Sequence, residues 1–205
     1  MIDLVFFGDL EELKKYGEKL GIDSYIIAEN FKDEKELLEL KDKIKKEKLN
    51  FKICKILEKP DSRELNFFKG KADFIAVRGS SVALNNFAVS NRGIDFLLQP
   101  VGSGKLEFDT AIARVAADRA VPIAFLFSEY LNANPFQRSL LFKNSFLAVK
   151  LMKRFKANAF FFSGAKEVDE LRAVEDLSSF AVMLGFSREQ GIRFVKDFAK
   201  EELEK

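Results

Sequence analysis

AFFFSGAKEVDELRAVEDLSSFAVMLG, Ala159 to Gly185, contains the unit from which the fold can be read. Phe160, Phe161 and Phe162 form a short apolar run bounded by Gly164, the pattern of a strand buried on both faces. Leu171, Val174, Leu177, Phe180 and Ala181 then recur at helical spacing, so the stretch reads strand, tight loop, helix. The loop S-G-A-K sets a hydroxyl, a glycine and a lysine between the carboxyl end of a strand and a helix, where backbone N–H groups and a cation can converge on an anion such as phosphate. A plainer reading has Gly164 relieving a turn and Lys166 solvated, and the motif alone leaves both open.

The same unit recurs outward from this stretch. Downstream, Ser187 and Gln190 cap a last helix through Phe194, Val195 and Phe198, and Glu201 to Lys205 is a charged, frayed end. Upstream, Asn134 and Pro135 open the longest helix, anchored by Leu140, Leu141, Leu147, Leu151 and Phe155, and Val121 to Phe127 reads as a strand before it. A helix from Phe108 to Arg119 turns Ala111, Ile112, Val115 and Ala116 inward. Strands are expected at Asp73 to Val77 and Ile94 to Leu98, separated by a weakly periodic turn, S-S-V-A-L-N-N-F-A-V-S-N-R-G. Further strands fall at Ile2 to Phe7, Tyr25 to Ala28 and Phe51 to Leu57. Between them run helices capped by Asp9 with Glu12, by Asp33 with Glu36, and by Asp61 after Pro60. The first carries Leu10, Leu13, Tyr16 and Leu20 inward and stops at Gly21; the second carries Leu37, Leu40 and Ile44, with a Lys/Glu run through Lys48 as its solvated face.

Seven strands, each followed by a mostly helical crossover, imply a parallel α/β sheet covered by helices. Without G-x-G-x-x-G after the first strand, a distorted or incomplete (β/α) TIM-like barrel over residues 1–205, as one domain, is expected ahead of a doubly wound open sheet. No eighth strand is visible.

Composition narrows the chemistry. The 205 residues carry a formal charge of +2 and no histidine, which excludes any histidine-built hydrolase site. The single Cys54 excludes a disulfide framework and sits in an apolar run, as core filler. M-I-D-L-V-F-F has neither a basic region nor a long apolar run, so the expectation is a soluble, cytoplasmic protein with no membrane partner. Asp3, Asp9, Glu29, Glu129 and Asp176 show no metal-ligand spacing, and Ser163 has no base beside it.

In a barrel the loops after the strands share one rim. Arg78, Lys105 in V-G-S-G-K, Arg138, Ser163, Gly164 and Lys166 all follow strands and are expected there. From Glu129 to Glu167 no acidic residue intervenes, while Arg138, Lys143, Lys150, Lys153, Arg154, Lys156 and Lys166 fall inside the window. Lys143, Lys150 and Arg154 share one stripe of the longest helix, a ridge of positive potential suited to a polyanion.

The stretch from Phe160 to Phe186, with Ser163-Gly164-Ala165, Leu171-Arg172, Asp176-Leu177 and Leu184-Gly185, resembles the barrel-like thirty-kilodalton protein subunit of ribonuclease P in its shorter archaeal form. V-R-G at Val77 to Gly79 and N-N-F-A-V-S-N-R-G-I-D-F-L before Leu98 add to the likeness. The chain departs from that family at Ala124, where an acidic residue is usual, and in S-E-Y-L-N-A-N-P, which has lost an arginine. The resemblance implies a barrel similar to the polymerase and histidinol-phosphatase (PHP) hydrolases but stripped of their histidine metal sites. It implies an endonuclease in complex only: an RNA subunit, with Mg²⁺, cuts the 5′ leader from precursor tRNA, and the protein binds no cofactor itself. The implied partners are the ribonuclease P RNA, precursor tRNA and other protein subunits, chiefly a small α/β subunit in a two-plus-two heterotetramer. RNA contacts are then expected at Arg78, Arg92, Lys105, Arg138, Lys143, Lys150, Arg154, Ser163, Gly164, Lys166 and Arg172. Arg172 has a competing role as an intrahelical partner of Glu175 or Asp176. A barrel enzyme acting on a small phosphorylated substrate, and a protein scaffold that never touches RNA, are the other readings.

Overall fold

The computed structural model describes residues 1–46 and 50–203, with side chains described up to residue 196 in the last helix. The expected roles of Lys48, of the Phe198 side chain and of Glu204 and Lys205 therefore lie outside the described residues, while the backbone of Glu201 to Leu203, expected to fray, continues the last helix. Seven parallel strands pair in sequence order: β1 Ile2–Val5, β2 Ser24–Glu29, β3 Phe51–Leu57, β4 Phe74–Arg78, β5 Phe96–Leu98, β6 Ile123–Leu126 and β7 Ala159–Phe162. Helices follow them as α1 Leu10–Leu20, α2 Glu34–Lys46, α3 Ser62–Phe68, α4 Val82–Ser90, α5 Thr110–Asp118, α6 Phe127–Leu131, α7 Pro135–Phe155, α8 Val174–Met183 and α9 Arg188–Leu203. The result is a nearly closed TIM-like barrel, as the strand and helix alternation led one to expect.

Closure takes place at the opening stretch. Beyond β7, the Gly164 N–H donates to the Leu4 carbonyl (3.0 Å), the Phe6 N–H donates to the Ala165 carbonyl (2.7 Å), and Val5 bridges Ala165 in parallel. Asp3 completes the seam: its carboxylate accepts from the Ser163 N–H (2.7 Å) and from the Ser163 hydroxyl. Seven strands thus suffice among the described residues, because a buried side chain supplies hydrogen bonds where an eighth strand would. Gly164 has a positive φ of 62°, and a Cβ there would sit 2.9 Å from Ser128 Oγ, so glycine is required by both torsion and space.

Alternation along each strand sorts the core into two layers. Ile2, Leu4, Phe74, Phe96, Phe160 and Phe162 fill the barrel, while Val5, Ile75, Leu97 and Phe161 face the helices. Phe161 meets Phe180, Phe186 and Phe194, which seats α8 and α9 over β7 and explains the phenylalanine-rich composition of this end.

Three expectations require correction. The stretch after Arg78 is not a turn: Ser81 caps α4, whose sequence is apolar on nearly every side because α4 packs on β4, β5 and α5, so no amphipathic period marks it. Its Asn85 is buried, and Nδ2 donates to the carbonyls of Pro100 (2.9 Å) and Glu107 (2.8 Å). The helix after β7 starts only at Val174, behind a short 3₁₀ turn, Val168–Glu170. On α7 the buried face runs through Leu141, Asn144, Ser145, Ala148, Val149 and Met152, leaving Leu147 exposed.

Candidate nucleic-acid interface

Parallel pairing puts the carboxyl ends of all seven strands on one rim, and the polar groups there are mostly spent on each other. Arg78 continues the inward register of Phe74 and Ala76, so its guanidinium reaches the barrel mouth. There it pairs with Glu129 and lies over the Phe6 ring at 5.7 Å, closing the mouth with a neutral pair. Arg138 donates to the carbonyls of Tyr130 (2.7 Å), Leu131 (2.8 Å) and Ala133 (2.9 Å), and so caps the end of α6. Arg172 donates to the carbonyls of Asp169 and Leu171, both at 2.7 Å, and stacks on Phe127; it makes no ion pair with Glu175 or Asp176 among the described residues. Ser163 is buried and bound to Asp3, so its hydroxyl does not face an incoming anion, and Gly164 serves the turn. Arg92 follows α4 and precedes β5, which places it at the opposite, amino end of the barrel. The mouth is thus not an open cluster of free donors: Arg78 is ion-paired with Glu129, 51 residues away, while Arg138 and Arg172 keep their charge but spend donors on backbone carbonyls.

One flank carries a run of exposed cations with no acidic residue among them in sequence. The 21-residue helix α7 descends from the carboxyl rim and exposes Lys143, Lys150, Lys153 and Arg154. At 1.5 Å per residue, Lys143 to Arg154 spans about 16 Å. Asn144 extends the ridge upward: its Nδ2 donates to the carbonyls of Gly102 (2.8 Å) and Gly104 (2.9 Å), which holds the loop bearing exposed Lys105 against α7. Lys150 lies 4.9 Å from the Phe146 ring, and Phe136 and Phe146 are exposed on the same helix, so cations and aromatic faces alternate. On the neighbouring α5, Asp118 is already paired with Arg114 at 3.7 Å. Lys153, which the stripe of Lys143, Lys150 and Arg154 omitted, also donates to the Gly185 carbonyl (3.0 Å).

At the upper end of this ridge is a cleft of about 310 Å³ between the Val101–Lys105 loop, α6, the first turns of α7 and exposed Lys166. Its walls are pinned by side chains: Gln99 Nε2 donates to the Val101 carbonyl (3.0 Å), Ser128 Oγ to the Gly164 carbonyl (2.7 Å), and Asn132 Nδ2 to Glu170 (2.6 Å). Glu170 also accepts the Lys166 N–H at 2.7 Å, which orders the lip. Below, Tyr130 and Ser145 share a 2.6 Å hydrogen bond, and burial pushes the Tyr130 phenol up to about 12, so it stays neutral.

Metal and nucleophile chemistry find little purchase here. Among the described residues no group of three or more His, Cys, Asp or Glu side chains could hold a metal, and the 205 residues include no histidine to build a histidine-rich centre. Burial pushes the Asp3 carboxyl up to about 7, against the two Ser163 donors and the Leu4 backbone that hold it down, but it serves the barrel seam. Cys54 lies inside the barrel, and burial drives its thiol well above the ordinary range, so it is inert packing.

The chain is thus a nearly closed (β/α) barrel with an ion pair at its mouth and a run of exposed cations on an outer helix. The chain belongs to the RNase P subunit p30 family, whose model matches residues 11–204. It is 33% identical over 110 residues to ribonuclease P protein component 3 of Thermococcus kodakarensis, covering 53% of this chain and 50% of the relative. The protein of the same name from Methanococcoides burtonii is 25% identical over 127 residues, 61% of this chain and 52% of the relative. The chain thus spans about half the length of the curated relatives it matches. Among solved structures, a chain in the cryo-EM structure of archaeal ribonuclease P with mature tRNA shares the fold at a TM-score of 0.83 and 20% identity, covering 100% of this chain and 90% of that one.

Proposed function

We propose that this protein is a subunit of ribonuclease P that binds RNA through phosphate contacts along α7 and takes no part in bond cleavage itself. The observation that carries the reading is the flank of Lys105, Lys143, Lys150, Lys153 and Arg154, the last four in a window without an acidic residue from Glu129 to Glu167, on a chain of net charge only +2. A run of cations on one helix, unmixed with carboxylates of the same segment, gives RNA a preferred face. Membership of the p30 family, and relatives named ribonuclease P protein component 3, support the same assignment. In this reading the RNA subunit and Mg²⁺ remove the 5′ leader of precursor tRNA, in the cytoplasm, while the protein stabilises the folded RNA together with a small α/β subunit, in a two-plus-two assembly. Lys166 and Arg92 would add contacts at either end of the barrel.

The test is reconstitution. Adding the protein and its small partner to the RNA subunit should lower the Mg²⁺ needed for precursor-tRNA cleavage. Turnover of a sugar phosphate by the protein alone would favour the enzyme reading instead, in which Ser163-Gly164 and the V-G-S-G-K loop form a phosphate cup; of these groups, the Ser163 hydroxyl is spent on Asp3.

A further inference from the structure

The cleft at the top of α7 has a chemistry that a smooth phosphate track does not need. Buried Val101 and Leu141 contribute little apolar surface to its lining, which is dominated by the Ser103 hydroxyl, the Gln137 amide, the Glu129 carboxylate and the Lys166 ammonium. Glu129 is charge-balanced by Arg78, so it supplies a hydrogen-bond acceptor without repelling an anion. Gln137 and Ser103 can each donate and accept. A narrow, mostly polar cleft with donors and acceptors along its walls and a cation at its lip matches the edge of an unstacked base with its phosphate, the form in which RNA exposes its base edges. The volume of about 310 Å³ is at the small end of ligand clefts. The pinned walls mean that the slot exists before RNA arrives, which limits the ordering cost of binding.

We propose that this cleft receives one unpaired nucleotide of the RNA bound along α7, its base edge toward Ser103, Glu129 and Gln137 and its phosphate toward Lys166. The inference rests on the RNA-binding reading and adds a point of recognition to it: the ridge sets affinity, and the cleft selects a place where a nucleotide leaves the helix.

Base-edge modification of the ribonuclease P RNA with dimethyl sulfate and a carbodiimide, bound to the full protein with its partner subunits, tests it. The wild-type protein should protect one unpaired base. Ser103→Trp, which fills the cleft from an exposed loop, and Gln137→Ala, a milder surface change, should both expose that base and weaken binding about tenfold, with the salt dependence unchanged. Lys150→Ala should weaken binding while leaving the base protected. Unaltered protection and affinity in both cleft variants would overturn the nucleotide pocket yet leave the RNA reading standing. Failure of the wild-type assembly to bind the RNA would overturn both.

Discussion

Replacing Asp3 by asparagine should abolish a pH dependence of stability that the barrel seam builds in. Burial pushes the Asp3 carboxyl from its ordinary 3.8 up to about 7, although Ser163 donates to it twice. Between those values the folded protein retains a proton that the unfolded chain has released. Stability therefore falls as pH rises from about 4 to about 7 and levels off above, where both states are ionised. About three pH units at 1.36 kcal/mol each makes the effect on the order of 4 kcal/mol. The carboxamide of the Asp3→Asn variant would keep an acceptor for the Ser163 N–H and offer a donor to the Ser163 hydroxyl, without a charge to desolvate. Urea unfolding of both proteins from pH 4.5 to 8 isolates this site, because the remaining carboxylates cancel in the difference. The Asp3→Asn protein should gain steadily on the wild type and overtake it near neutral pH. Parallel curves would refute the argument that an uncompensated buried carboxyl closes the seam.

Three further outcomes follow from the same geometry. Gly164→Ala should cost about 2 kcal/mol in thermal unfolding, since the backbone is left-handed there and the added carbon would press on Ser128 and Leu126 at 2.9–3.0 Å. Arg138→Ala should destabilise the protein by about 1–3 kcal/mol through the carbonyls of α6 that it leaves bare, with no change in the salt dependence of RNA binding. Asn144→Ala should free the Val101–Lys105 loop, seen as faster amide exchange there with little change in β7.

Much of the fold was legible because burial alternates with helical crossovers all along the chain, and because Asp9, Asp61, Ser187 and Asn134 announce helix starts that the structure places within a residue or two. The helix at Val82–Ser90 was not legible: packed on several sides, it shows no period. The basic window from Glu129 to Glu167 could be read directly, since a run of one sign on a long helix needs no tertiary knowledge to place it on a surface. The rim was misjudged for a physical reason. Sequence order shows that Arg78, Arg138 and Ser163 follow strands, but not that Glu129, the α6 carbonyls and Asp3 are waiting for them. Nor could it show that Asn144 would tie the Lys105 loop to α7.

If RNA is held by phosphate contacts on the α7 flank, the salt dependence of its binding must carry the signature of those cations. For Lys143→Ala/Lys150→Ala/Arg154→Ala against wild type, the slope of log affinity on log salt should become shallower by about 2–3, the release expected from three lost phosphate contacts. An unchanged slope, with affinity intact, would contradict the account.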